Sequence, residues 1–418
     1  MDRIFIRVPS QDLRLDLLTG AALELKGRRP VASFSQSDTL LMDVDDDERH
    51  RLLMLGAQVF SDVQFDVLPG FSGGEDGRRG AHESGPADSR LFPAGGAVAG
   101  NLREVVAQIG APSAWENARG QGVTIAVVDT GIVQNLRELP MHRRSAVDLS
   151  DAFRGQIWAD EVGHGSMCAA IAAGSSTTGA YDGVAPEARV LSARSNLRSV
   201  DLFRIYDNLL RSLDNGDLQG RVVATNSYGL YLCDSPGVMP KDHPFMNVIE
   251  SAIAAGVFVC FAAGNNHYDD VCRYEPDQCG PNSIWGPNSH DMVVSVGTVN
   301  RALSNRDSLT PHANSSRGPG EWAKHHPKPD CVAPTYGIVP WGDRYEDMPW
   351  WGTSGACPQV AGLAALVLSV APQASPAQVA ATIRDTCTAL PEGANCVGRG
   401  MINCEAAVHK AMWDLRIA

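Results

Sequence analysis

Three short segments, each joined to an apolar run, constrain this chain of 418 residues more than anything else in it. They are Val127-Val128-Asp129-Thr130-Gly131, His164-Gly165-Ser166-Met167-Cys168-Ala169-Ala170 and Gly352-Thr353-Ser354-Gly355-Ala356-Cys357-Pro358. The run Ile125-Ala126-Val127-Val128 is short, apolar and partly β-branched, the pattern of a parallel strand buried on both faces. It predicts a strand over Thr124–Val128, turned by Gly131, with Asp129 at the strand's carboxyl end, where open α/β sheets place their sites. Residues 355–368 are apolar, Ala/Leu-rich and long enough for a buried helix, so Ser354 stands at a helix start. Pro358 falls in the first turn or so of that helix, where proline is tolerated. His164 likewise begins a small-residue segment, Gly165 to Gly174, that can pack closely as a helix. Two side chains at helix starts thus project towards a third at a strand end.

The chemistry gives each residue a reason. A serine hydroxyl is a poor nucleophile until a base within hydrogen-bond reach takes its proton. His164 is the candidate base, Asp129 the carboxylate that holds one imidazole tautomer and stabilises the imidazolium, and Ser354 the nucleophile. Free N–H groups and positive potential at its helix start suit an oxyanion. The order discriminates among architectures: α/β-hydrolases run Ser, Asp, His, the chymotrypsin type His, Asp, Ser, and the subtilisin type Asp, His, Ser. Here 35 residues separate Asp129 from His164, and 190 separate His164 from Ser354. The chain resembles the subtilisin-like serine peptidases, the subtilases. The resemblance continues through Gly183-Val184-Ala185-Pro186-Glu187-Ala188, Ser315-Ser316-Arg317-Gly318-Pro319 and Lys328-Pro329-Asp330-Cys331-Val332-Ala333-Pro334, covering roughly residues 103 to 410.

The resemblance implies a three-layer α/β/α catalytic domain with a mostly parallel sheet, and a serine endopeptidase acting through an acyl-enzyme. Residues 257–263 read as a buried strand ending in a Gly-Asn turn. By resemblance, the Asn265 side chain donates to the oxyanion together with the nucleophile's backbone N–H. Asn266 is the competing choice; Asn265 is preferred because it directly follows Ala-Ala-Gly. Ser227, Tyr228 and Gly229 match the segment lining the substrate cleft, where a peptide adds as an extra strand. Ala263 and Gly264 match a wall of the first specificity pocket. The chain also departs from the family pattern. Gly355 stands where the family has Met or Ala and Gln359 where it has His, while Cys357 predicts sensitivity to thiol reagents. A competing reading is therefore a catalytically impaired scaffold that binds a peptide or partner protein, although an intact Asp129, His164, Ser354 and Asn265 oppose it. A second is a dedicated processing peptidase with one substrate.

Residues 1–69 form a separate unit. Strands are expected at Ile4–Val8, Val31–Phe34, Leu40–Val44 and Gln58–Phe65, with helices at Gln11–Leu18 and Asp46–Leu55. Asp45, Asp46 and Asp47 supply a cap and favourable dipole charge for the second helix. The β-α-β-β-α-β order predicts a ferredoxin-like α+β fold. It resembles the inhibitory propeptide of subtilases, an intramolecular inhibitor that occupies the cleft until cut; the competing reading is a permanent accessory domain. Residues 70–102 are a flexible Gly/Ser-rich linker, in which Arg78-Arg79 offers a dibasic cleavage site but reads first as an exposed solubilising pair. Residues 103–418 are then the peptidase domain, with cleavage expected after the last strand of the first unit or within the linker.

A net charge of −13 and a pI near 5.3 argue against nucleic-acid and membrane-surface partners. No stretch approaches the ~18 consecutive apolar residues of a transmembrane span. The first residues alternate like a strand and lack a signal-peptide core, so the expectation is a cytoplasmic monomer acting on peptide or protein substrates. Of ten cysteines, Cys168 and Cys260 read as buried thiols. Cys387, Cys396 and Cys404, and the pair Cys272 and Cys279, could cross-link in an oxidising compartment. The chemistry needs no cofactor. Subtilases often hold structural Ca²⁺, but Asp269, Asp270, Glu275 and Asp277 read first as solvated loop charges; the competing reading is that they bind Ca²⁺ or give the cleft a preference for basic residues. His312, His325 and His326 lack metal-ligand spacing and read as exposed loop residues.

Overall fold

The computed structural model describes residues 1–22, 25, 27–34, 38–67, 101–230, 233, 239–268, 272–300, 309–335, 337–341, 344–348 and 352–415. Nearly all of the expected linker, with Arg78-Arg79, and the carboxylates Asp269 and Asp270 lie outside these residues.

The N-terminal unit runs β1 (Asp2–Arg7), α1 (Gln11–Thr19), β2 (Ala32–Phe34), β3 (Thr39–Val44), α2 (Asp46–Met54) and β4 (Gln58–Ser61). Its antiparallel sheet has the order β2-β3-β1-β4. α2 begins where it does because Asp45 accepts from the Glu48 N–H while the Glu48 carboxylate accepts from the Asp45 N–H, a reciprocal cap. Period-two alternation divides β1: Ile4 and Ile6 pack with Leu17 and Leu52 beneath the two helices, while Phe5 faces the larger unit. β4 is shorter than the sequence suggests. It ends at Ser61, and residues 62–67 leave the sheet for the cleft described below.

The larger unit contains α3 (Leu102–Ala107), α4 (Ala111–Ala114), β5 (Val123–Asp129), α5 (His164–Ala173), β6 (Arg189–Arg194), α6 (Ser199–Asp214), β7 (Arg221–Asn226), α7 (Pro244–Ala254), β8 (Phe258–Ala262), β9 (Val294–Val299) and β10 (Cys331–Pro334). A hairpin of β11 (Gly337–Trp341) and β12 (Arg344–Met348) follows, then α8 (Gly352–Val370), α9 (Pro376–Asp385), α10 (Ala394–Val397) and α11 (Cys404–Asp414). Six strands in the order β10-β9-β8-β7-β5-β6 pair in parallel throughout. β5 is buried along its whole length. Ile125 and Val127 join the core under α5 and α8, and Ala126 and Val128 join that under α6 and α7. These two cores on opposite faces make the three layers. The chain adds β6 on one side of β5 and β7 on the other, so the carboxyl ends of β5 and β7 flank the switch point, where such sheets open a crevice.

α8 is long and apolar enough to cross a membrane by composition, with a mean hydropathy of 1.4, yet it is 94% buried inside the protein. Two disulfides, Cys233–Cys272 and Cys279–Cys396, cross-link the larger unit. Cys272 and Cys279 therefore pair with other partners rather than with each other. Cys168, Cys260 and Cys404 are buried free thiols, and Cys387 is a half-buried one.

Candidate active site

β5 ends on Asp129 and α5 starts on His164, and the two side chains meet in a 2.7 Å contact between Asp129 Oδ1 and His164 Nδ1. Two glycines permit the approach. Gly131 has φ of +113°, and a Cβ added to Gly165 would overlap the Gly131 carbonyl oxygen, so a side chain there would push α5 off the end of β5. Asp129 Oδ1 also accepts from the Thr130 N–H at 2.7 Å, which fixes the carboxylate's plane.

Asp160, four residues before His164, was not singled out from the sequence. Its Oδ1 accepts from Thr130 Oγ1 at 2.9 Å and from the Gly163 N–H at 2.8 Å. Its Oδ2 accepts from the Ser166 N–H and Oγ at 2.9 and 2.7 Å. Thr130 Oγ1 in turn accepts from the Gly165 N–H at 3.0 Å. One carboxylate therefore ties the end of β5 to the first turn of α5, where α5 has N–H groups with no helical acceptor. The available signal was an acidic residue just ahead of a helix that lacks an ordinary cap.

Ser354 lies in the first turn of α8 and is 1% exposed. Its hydroxyl lies 3.2 Å from the Ser227 carbonyl oxygen and 3.3 Å from that of Val67, both acceptors for its proton. Pro358 is further into α8 than expected, past the first turn. Having no N–H, it leaves the Ser354 carbonyl without a helical donor. Ser227 Oγ takes that carbonyl at 3.1 Å and Cys168 Sγ at 3.6 Å. Cys168 Sγ is also 3.9 Å from His164 Nδ1, so one side chain touches both the His164 ring and the Ser354 backbone. Burial and the Asp129 charge push the Cys168 thiol pKa well up, keeping it neutral there.

The Oδ1 atom of Asn265 accepts from the Thr353 N–H and Oγ1, both at 2.9 Å. With the acceptor atom held by the residue before Ser354, the donor atom Nδ2 is left for other work. Asn266 spends its Nδ2 on the Leu230 and Ser283 carbonyls at 3.1 and 3.4 Å, which favours Asn265 as the oxyanion donor. Gln359 donates to the Pro334 and Gly355 carbonyls, and Cys357 Sγ lies 3.6 Å from Cys260 Sγ. Cys357 is fully buried, so a thiol reagent reaches it only if the core opens.

Ser227, Tyr228 and Gly229 follow β7, and Ala263 and Gly264 follow its neighbour β8, so the two segments leave the sheet side by side. The first is already paired. Gly229 and Asp66 exchange both backbone hydrogen bonds at 2.9 and 3.0 Å, and the Phe65 N–H donates to the Leu197 carbonyl at 2.9 Å. The tail of the N-terminal unit thus lies in the cleft as an added antiparallel strand that brings the Val67 carbonyl to Ser354. The Tyr228 side chain points into the core, its hydroxyl donating to Asn226 Oδ1 at 2.7 Å and its ring 5.5 Å from that of Phe65.

The N-terminal unit also closes two helix ends. The N-cap of α6, Arg198, makes no side-chain cap; Asp62 Oδ1 instead accepts from Ser199 Oγ and the Val200 N–H, both at 3.0 Å. At the start of α7, His243 Nδ1 accepts from the Phe245 N–H at 3.1 Å while Nε2 donates to the Ser61 carbonyl at 3.0 Å. Phe5 and Phe60 pack edge-on to that ring at 5.1 and 5.7 Å, and burial lowers its pKa to about 4.

Among the described residues, the group of metal-ligand types close enough to share an ion is Asp129, His164 and Cys168. Its nitrogen and sulfur atoms do not suit Ca²⁺, which takes oxygen ligands. Glu275 and Asp277 are exposed loop carboxylates, whereas His312, expected to be exposed, is buried.

Residues 120–400 match the model of the subtilase family, Peptidase S8. The serine protease AprX of Bacillus subtilis is 30% identical over 69% of this chain and 66% of its own length, so the chain spans just under two thirds of that relative. Mycosin-1 of Mycobacterium tuberculosis is 28% identical over 73% of this chain and 72% of its own. Among solved structures, MycP1 with its N-terminal propeptide removed is 26% identical with a TM-score of 0.55, covering 73% of this chain and 96% of that one. Fervidolysin from Fervidobacterium pennivorans, a keratinolytic enzyme related to subtilisin, aligns over 98% of this chain and 61% of its own with a TM-score of 0.66. At 16% identity it supports the fold alone.

Proposed function

Because this chain belongs to the subtilase family of serine peptidases, we propose that it is an endopeptidase whose acyl-enzyme forms on Ser354. His164 takes the Ser354 proton as Oγ attacks a peptide carbonyl, and Asp129 holds the imidazole and stabilises its charged form. The oxyanion of the tetrahedral intermediate receives Asn265 Nδ2 and the Ser354 backbone N–H. Collapse breaks the peptide C–N bond as His164 gives its proton to the departing amine. Water, deprotonated by His164, then hydrolyses the ester and restores Ser354.

The observation that carries this reading is a peptide strand lying across the site, with the Val67 carbonyl 3.3 Å from Ser354 Oγ and the Asp129–His164 pair buried beside it. The same observation supports reading the N-terminal unit as an intramolecular inhibitor whose first cut falls just C-terminal to Val67. A binding scaffold would need neither a buried carboxylate–imidazole pair nor a serine hydroxyl set against a carbonyl of the strand in its cleft. The two disulfides support an oxidising compartment over a reducing one. The test is self-cleavage: full-length protein is expected to lose its N-terminal unit with a new N-terminus close after Val67, and Ser354→Ala to stay whole. An equal cut in both proteins would refute the proposal.

A further inference from the structure

A peptide attacked by Ser354 has the backbone of its reacting residue between Ser227 and Asn265, so that residue's side chain enters the gap between the segments leaving β7 and β8. Asn288 crosses that gap. It is 1% exposed, and its Nδ2 donates to the Tyr228 carbonyl on one wall and to the Ala262 carbonyl at the base of the other, each at 2.7 Å. Asn266 adds a second tie, from Nδ2 to the Leu230 carbonyl at 3.1 Å. The Asn288 amide also stands against Gly229, where an added Cβ would come within 3.2 Å of Nδ2.

The acceptor halves of both amides are left over. Asn288 Oδ1 and Asn266 Oδ1 are buried and have no hydrogen-bond partner among the described residues. Buried polar atoms are almost always partnered, so two orphan acceptors beside one gap call for an explanation. A small substrate side chain leaves room for water to serve them. A large apolar one must either displace the Asn288 amide from both walls or seal its oxygen away from any donor.

Resting on the peptidase reading above, we infer that Asn288 is a specificity-determining residue. It forms the floor of the primary pocket and restricts the residue before the scissile bond to side chains no larger than that of Val67, such as alanine and serine. The test uses self-matured protein and peptides differing only at that residue, Ala, Ser, Leu or Phe. Wild type is expected to show kcat/KM at least tenfold higher for Ala and Ser than for Phe. Asn288→Gly is expected to shrink that ratio about tenfold or more by raising the rate on Phe. A wild type that cleaves after Phe as well as after Ala overturns the inference without needing any variant, and so does a folded Asn288→Gly with an unchanged ratio. Fluorophosphonate labelling of Ser354, read in the same samples, separates the two failures: label with the wrong preference rejects the pocket floor alone, whereas loss of label in the wild type rejects the peptidase reading.

Discussion

Asp160 touches neither the nucleophile nor a substrate, yet it accepts four hydrogen bonds that fix the end of β5 against the start of α5. It is a positioning residue for the Asp129–His164 pair. Asp160→Ala is expected to lower kcat by roughly 10- to 100-fold, the scale of a misplacement near 1 Å, while KM changes little. Asp160→Asn, which keeps one acceptor oxygen, should recover part of the loss in steady-state peptide assays. A parallel rise in KM, or no rescue, would point to general destabilisation. At this scale Asp129, His164 and Ser354 were legible as candidates because each sits at an element boundary that local pattern reveals. Asp160 was not, since an aspartate in a loop reads as a solvated charge until its partners are known. Asn288 was hidden for a related reason: the carbonyls it joins are 60 and 26 residues away along the chain.

Elements were read most securely where one period dominates, as in β5 with its unbroken apolar run or α8 with its small apolar residues. β4 misled because residues 62–65 alternate like a strand and do form strand-like bonds, but with the larger unit rather than with β1. The sequence shows the alternation without the partner. Pattern likewise cannot show that α6 lacks a cap of its own and borrows Asp62 from the N-terminal unit. Losing a cap costs about 1 kcal/mol. Asp62→Ala, placed in the uncut Ser354→Ala protein, should therefore raise amide exchange of Phe65 and Asp66 severalfold to tenfold while leaving exchange in β5 unchanged. Equal exchange with and without Asp62 would mean that the apolar contacts alone hold the strand in the cleft.

Across the whole molecule, the N-terminal sheet shares a continuous apolar core with α6 and α7, with Phe5 and Phe34 lying 5.3 and 4.7 Å from the ring of Phe203. His243 is buried in that interface with a pKa lowered from 6.5 to about 4, chiefly by burial; Arg7 opposes its protonation, while Asp62 and Asp242 favour it. When the units part, water reaches the ring and its pKa returns towards the ordinary value, so the parted state binds more protons between about pH 6.5 and 4. The hold of the N-terminal unit is therefore strongest above pH 6.5 and weakens as pH falls to about 4, by up to roughly 3 kcal/mol. For cut protein, dissociation of the two pieces measured by gel filtration should rise across that window. His243→Asn, which retains a cap acceptor and a donor, should flatten the dependence.

A covalent bond formed at Ser354 can be read directly from mass. Intact mass and N-terminal sequence are measured for wild type beside Ser354→Ala, with a fluorophosphonate added to both. Wild type is expected to be cut just beyond Val67 and to carry one phosphonyl group on Ser354, and the variant to remain whole and unlabelled. A wild type that stays whole, and stays unlabelled at neutral pH once an added peptidase has removed its N-terminal unit, or a Ser354→Ala protein that is still cut and labelled, would contradict the peptidase reading.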